Sequence, residues 1–214
     1  MKTKRKALLL SLCAVLLVVA SVMGTMAYLT STDTVTNTFT VGNVQIKLDE
    51  AAVNPDGTPI ANAARVKRNS YKLLPGLTYT KDPTVTVLSG SESSYIKMTV
   101  TFSNAAELDA IFAPTGGANL TSIFNGYDSD NWIEKGSTTA ANTRTYEFWY
   151  KEAVAAPTAD VVLDALFDSI TVPDFITKEQ LATINNMTIT VNAYAIQAAG
   201  FENAEEAWAP ETNA

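Results

Sequence analysis

Two stretches of the chain alternate apolar and polar side chains cleanly. Ile96, Met98, Val100 and Phe102 are interleaved with Lys97, Thr99 and Thr101. Between Met187 and Gln197, Ile189, Val191, Ala193 and Ala195 take one face, and Thr190, Asn192, Tyr194 and Ile196 the other. Successive side chains of a strand point to opposite faces, so this period of two predicts half-buried strands. A third strand is predicted over Thr143 to Lys151, with Tyr146, Phe148 and Tyr150 opposite Glu147, Trp149 and Lys151. Aromatic residues on both faces predict that one face is core and the other meets a flanking loop or helix. Shorter strands are predicted over Val41 to Leu48, where the Gly42-Asn43 step marks a bulge or bend, and over Leu166 to Val172, stopped by Pro173. Val85 and Val87 alternate with Thr84 and Thr86 in another half-buried strand closed by Gly90. The Ser/Gly-rich loop Ser89 to Ser94 then predicts a hairpin, or neighbouring strands across the fold.

Helical spacing is short-lived. Ala105 to Phe112 places Leu108, Ile111 and Phe112 on one side before Pro114 and Gly116-Gly117 end it. Lys178 to Ile184 follows Thr177, with Gln180 three residues on, which predicts a capping box. Asn203 to Ala209 predicts a last turn or two ending at Pro210, with Trp208 docking it. Asn54-Pro55-Asp56-Gly57 and Pro75-Gly76 are turns. Ala61 to Arg68 reads as an exposed loop because Arg65, Lys67 and Arg68 crowd it. Seven to nine strands with two or three short helices predict a mainly β fold: a single antiparallel sandwich with helices in the crossover connections. No repeat, heptad or Pro-rich linker divides residues 28–214, which read as one domain.

The N-terminus follows a different rule. Lys2, Lys4, Arg5 and Lys6 precede 17 uncharged residues, Ala7 to Met23. A basic segment followed by an apolar run is the layout of a secretory signal. A retained membrane anchor is the alternative, since about 17 residues is the lower end of the spanning range. Small residues at Thr25 and Ala27 place the cut between Ala27 and Tyr28, so residues 1–27 read as the signal peptide. Cys13 lies inside the apolar run after a bulky Leu and reads as an apolar filler rather than a lipid-attachment site.

Cleavage removes four of the 15 basic residues and the single Cys, leaving 11 basic against 22 acidic side chains and a formal charge of -11. Disulfides and thiol chemistry are thereby excluded from the mature chain. Its 187 residues are enough to bury about 70% of the unfolded surface without such staples. The charge disfavours nucleic acid and anionic lipid, so the only membrane contact expected is through the signal segment of the precursor.

Candidate chemistry is sparse. The chain has no His, which excludes His-based acid-base catalysis, Ser-His-Asp and Cys-His systems and HExxH zinc sites. No phosphate-binding glycine motif occurs, and no cofactor is expected. Asp128-Ser129-Asp130-Asn131 gathers oxygen ligands without the spacing of a calcium loop and reads as a solvated turn. Asp160, Asp164 and Asp168 would share one face of a helix, where like charges repel, and read as surface. Trp132, Trp149 and Trp208 are candidate sugar-stacking platforms, with packing as the plainer reading.

Several blocks of sequence resemble a known family. The signal ending Gly24-Thr25-Met26-Ala27-Tyr28-Leu29-Thr30 and the following Asn37-Thr38-Phe39-Thr40-Val41-Gly42-Asn43-Val44 are similar to the start of the TasA/camelysin family of exported proteins. Leu74-Pro75-Gly76 with Lys81-Asp82-Pro83, then Tyr146-Glu147-Phe148-Trp149-Tyr150-Lys151, continue the likeness in order. It ends with Ala193-Tyr194-Ala195-Ile196-Gln197, Gly200-Phe201 and Ala207-Trp208, and resembles members from Gram-positive bacteria of the gut. The resemblance implies a jelly-roll sandwich, cleavage at Ala27 and Tyr28 by a SipW-type signal peptidase, and secretion to the cell surface or extracellular space. It also implies a matrix or biofilm fibre in which each subunit donates its N-terminal strand to a neighbour. The donor segment would be Tyr28 to Thr40, with Tyr28, Thr36, Thr38, Phe39 and Thr40 as its candidate residues. Self-association or related matrix subunits are then the expected partners. A monomeric adhesion or glycan-binding module is the alternative. The metallopeptidase label attached to camelysin-like members finds no His ligand here.

Overall fold

The computed structural model describes residues 6, 12–17, 42–112 and 123–209. The chain divides into two units, Met1–Val41 and Gly42–Ala214. In the first, residues 12–17 are helical, with Leu12, Val15, Leu16 and Leu17 exposed. Among the described residues no helix is long and apolar enough to cross a membrane. The predicted cleavage at Ala27 and Tyr28, and the segment holding Thr36, Thr38, Phe39 and Thr40, lie outside the described residues.

The second unit is mostly β, with three antiparallel sheets and short helices. Ten strands are present among the described residues, above the seven to nine expected, because several are only two or three residues long. The largest sheet has the order β10 (Ile189–Gln197), β4 (Ser94–Ser103), β7 (Thr143–Tyr150), β6 (Trp132–Ala140). A second sheet runs β1 (Ile46–Asp49), β3 (Thr84–Val87), β8 (Val161–Val162). The third runs β2 (Thr78–Thr80), β9 (Ser169–Thr171), β5 (Phe124–Asn125). Three helices are present among the described residues of this unit, in chain order α1 (Ala105–Phe112), α2 (Lys178–Thr183) and α3 (Ala204–Ala207).

β4 and β10 carry the alternation that their sequences predict, and they pair in continuous register from Ile189 opposite Phe102 to Gln197 opposite Ser94. Ile96, Met98, Val100 and Phe102 thereby enter a core shared with Tyr146, Phe148 and Trp132. Burying each such side chain contributes about 1.5–3 kcal/mol, which fixes the register, since a slip of one residue would turn this set to solvent. On the far face, Trp149 packs with Tyr95 against Ala204 and Ala207 of α3. The two-faced aromatic pattern of β7 thus has the meaning expected of it. Trp208 docks α3, its ring 4.4 Å from Lys97 Nζ. Thr177 and Gln180 form the reciprocal capping box at the start of α2.

Three expectations are corrected. β3 is buried on both faces, not half-buried: Val85 and Val87 enter the core, and the Arg65 side chain covers the Thr84 hydroxyl on the opposite face. β3 and β4 lie in different sheets and make no hairpin. The strands predicted over 41–48 and 166–172 shrink to Ile46–Asp49 and Ser169–Thr171, with Leu166 and Phe167 buried outside any strand. The surface reading of Asp160, Asp164 and Asp168 holds, since all three are exposed: the Asp160 carboxylate accepts from the Ser89 N–H, and Asp164 from Asn131.

Candidate functional site

The four-stranded sheet ends in β10, and among the described residues nothing pairs with that strand's outer edge. Which main-chain groups are left there follows from two hydrogen bonds. Thr188 O accepts from Ser103 N–H at 3.1 Å, and Ala198 N–H donates to Ser93 O at 2.7 Å. In an antiparallel ladder each residue turns both polar groups to one neighbour, alternately. The even-numbered residues of β10 therefore face β4, and Ile189, Val191, Ala193 and Ala195 direct N–H and C=O outward. No residue of Ile189–Gln197 is charged, and none is Pro.

This edge borders a groove of about 1370 Å³. Residues 189–194 form one wall; Leu48, Asp49 and Glu50 with segment 66–73 form the other. Phe102, Leu108 and Ile184 of the core reach its floor. β1 approaches β10 to within 8 Å between Cα atoms, and no ladder among the described residues joins them. β1 is bonded to β3 on one side, and beyond its end Glu50 and Val66 exchange hydrogen bonds of 2.9 and 2.8 Å. The groove thus lies between strands of two sheets, β1 and β10, whose facing edges are incompletely paired among the described residues.

An ionic cluster holds the far wall in place. The Arg65 guanidinium donates to Asp49 Oδ1 at 2.5 Å, Asp82 Oδ2 at 2.7 Å, Asp82 O at 2.8 Å and Thr84 Oγ1 at 2.8 Å. The loop at Arg65 is exposed, as expected, and the planar fork of the guanidinium clamps it to Asp49, Asp82 and Thr84. Burial pushes the Asp49 carboxyl up, but hydrogen bonds and charge from Lys47 and Arg65 outweigh it and hold it below its ordinary value. Beside it, buried Lys81 donates to Glu50 Oε2 at 2.6 Å, and Asn69 ties Glu50 and Ala51 to Val53. Burial, with the charge on Glu50, pushes the Tyr71 phenol well up. Tyr79 accepts from Leu74 N–H and donates to Lys72 O, fixing the end of the segment.

The other candidate chemistry is dispersed. Trp132 is 1% exposed and its indole N–H donates to Asp164 O, so it is no sugar platform. Trp149 is buried under α3 and donates to Glu147. Asp128 Oδ1 accepts from the N–H groups of Asp130 and Asn131, a closed turn. Among the described residues no group of three or more His, Cys, Asp or Glu could hold a metal ion. The groove itself was not foreseen in the sequence; its one visible sign was a long uncharged late strand. What it offers chemically is a row of main-chain donors and acceptors above an apolar floor, which suits an added strand. No protein-family model, curated protein or solved structure matches the chain.

Proposed function

We propose that the chain is an exported, non-enzymatic structural subunit of an extracellular or biofilm-matrix fibre, built as a TasA/camelysin-like jelly-roll sandwich. A SipW-type signal peptidase cuts between Ala27 and Tyr28, and the freed segment Tyr28 to Thr40 adds as a strand to a neighbouring subunit outside the cell. The observation that carries this reading is the uncharged edge of β10, unpaired among the described residues, beside the groove that those residues line. The segment supports it from the other side. Thr30, Thr32, Thr34, Thr36, Thr38 and Thr40 recur at every second position, with Val35 and Phe39 between them, a composition of high strand propensity. Thirteen extended residues span about 43 Å, more than the six residues of β10 that border the groove. In the precursor the same segment is tethered behind the signal, which keeps assembly out of the cell.

The test compares mature protein beginning at Tyr28 with a truncation beginning at Val41, by electron microscopy and sedimentation velocity. Fibres or oligomers from the first and monomers from the second are expected. Two identical monomers would remove the reading.

A further inference from the structure

Positive charge is concentrated on one wall of the groove. Of the 11 basic residues after the signal, Lys47, Arg65, Lys81, Lys97, Lys135 and Arg144 are in ion pairs. Of the five that make none among the described residues, Lys67, Arg68 and Lys72 fall within six positions, all exposed and all on the groove. With 22 acidic against 11 basic side chains in residues 28–214, such a strip has its complement on the same molecule.

That complement lies where the N-terminal segment joins the body. Residue 42 is the first of the second unit, and a Cβ built on Gly42 would stand 3.0 Å from Glu92 Cγ. Glu92 N–H donates to Asn43 O at 2.8 Å, and in the adjoining loop Asp160 caps Ser89 N–H at 2.9 Å. Both acids are exposed and neither makes an ion pair among the described residues. Thr40 and Gly42 are two residues apart, about 7 Å of extended chain. A donor strand seated to Thr40 in one subunit's groove therefore draws the donor body's Glu92 and Asp160 to the groove's rim.

Resting on the strand-exchange reading, we propose that Lys67, Arg68 and Lys72 form an electrostatic seat for a second copy of this chain, receiving its Glu92 and Asp160 surface as its arm enters the groove. The seat sets the head-to-tail polarity of growth and raises the association rate, which is what complementary charged surfaces chiefly do. At about 8 Å the physiological Debye length spans such a contact, so added salt weakens it.

The experiment follows elongation of cleaved full-length mature protein by light scattering across a NaCl series. Lys67→Glu, Arg68→Glu and Lys72→Glu together should slow growth at least tenfold at low salt. Adding Glu92→Lys and Asp160→Lys to that chain should restore most of the rate by swapping the pair. Circular dichroism of each variant checks that the body remains folded. Folded triple variant growing at the wild-type rate, with no salt dependence in either, overturns the seat and leaves strand exchange standing. Unchanged growth with lost retention on dextran sulfate overturns it by assigning the strip to an acidic polymer. No growth from the wild type itself overturns strand exchange and the seat together.

Discussion

The four-stranded sheet has two edges, and they are built differently. β6 carries a bulge between Glu134 and Gly136, with Gly136 at φ +113°, and Lys135 folds from that bulge over the ring of Trp149. A bulge and charged side chains are devices by which a sheet edge repels unwanted strands. β10 has neither: nine residues in unbroken register with β4, no charge, no bulge, and a groove beside it. Among the described residues one sheet thus guards one edge and leaves the other unguarded, and that contrast is why the proposed strand addition is placed at β10.

The largest expected effect comes from dismantling the wall that faces β10. Lys81→Ala leaves the Glu50 carboxylate buried without its cation, at a cost of about 3–5 kcal/mol, read as a large fall in Tm. Next come two neighbouring prolines that separate the edges of β10 itself. Asn192→Pro removes an N–H directed at β4 and should cost about 3 kcal/mol by urea unfolding. Ala193→Pro removes an N–H directed outward, where Pro is tolerated on an edge, so it should leave stability nearly intact and block assembly. Equal destabilisation by both would break the assignment of which residues face out.

Acid sharpens the role of the clamp. The folded Asp49 carboxyl sits below its unfolded value of about 3.9, so its contribution is complete above that pH and is lost as pH falls through the folded value. Arg65→Gln should cost about 1–3 kcal/mol and move the acid-unfolding midpoint, followed by circular dichroism, to higher pH. The smallest effect is expected from moving the guard. Thr190→Lys on exposed β10 should slow fibre growth by about 1 kcal/mol of barrier, whereas Thr138→Lys on β6 should not change it.

What the sequence disclosed was local or strictly periodic. β4, β10 and α1 declared themselves because one face of each is apolar, and the capping box of α2 lies within four consecutive residues. β6 gave no such sign: after Trp132 every residue of it is exposed, and only pairing with β7 makes it a strand. β3 misled because Thr84 and Thr86 look solvated, yet Arg65, 19 residues away in sequence, covers the Thr84 hydroxyl. The groove was invisible for the same reason, since its walls come from β1, segment 66–73 and β10, far apart in the chain. Trp149 and Trp208 were legible as packing residues, and Trp132 resolved to the interior.

The account stands or falls on whether Tyr28 to Thr40 of one molecule lies along β10 of another. The chain has no Cys after Cys13, so single cysteines placed in protein beginning at Tyr28 report cleanly. Asn192 directs its main chain at β4 and is therefore a non-hydrogen-bonded position toward an added strand, where Cα atoms approach to about 4.5 Å. Thr36→Cys or Thr38→Cys chains would be mixed with Asn192→Cys chains under mild oxidation, with Ser137→Cys on β6 as the comparison. A disulfide-linked pair of the arm and β10 variants, absent with Ser137→Cys, is the predicted result; linkage to β6 instead, or none to either, would contradict it.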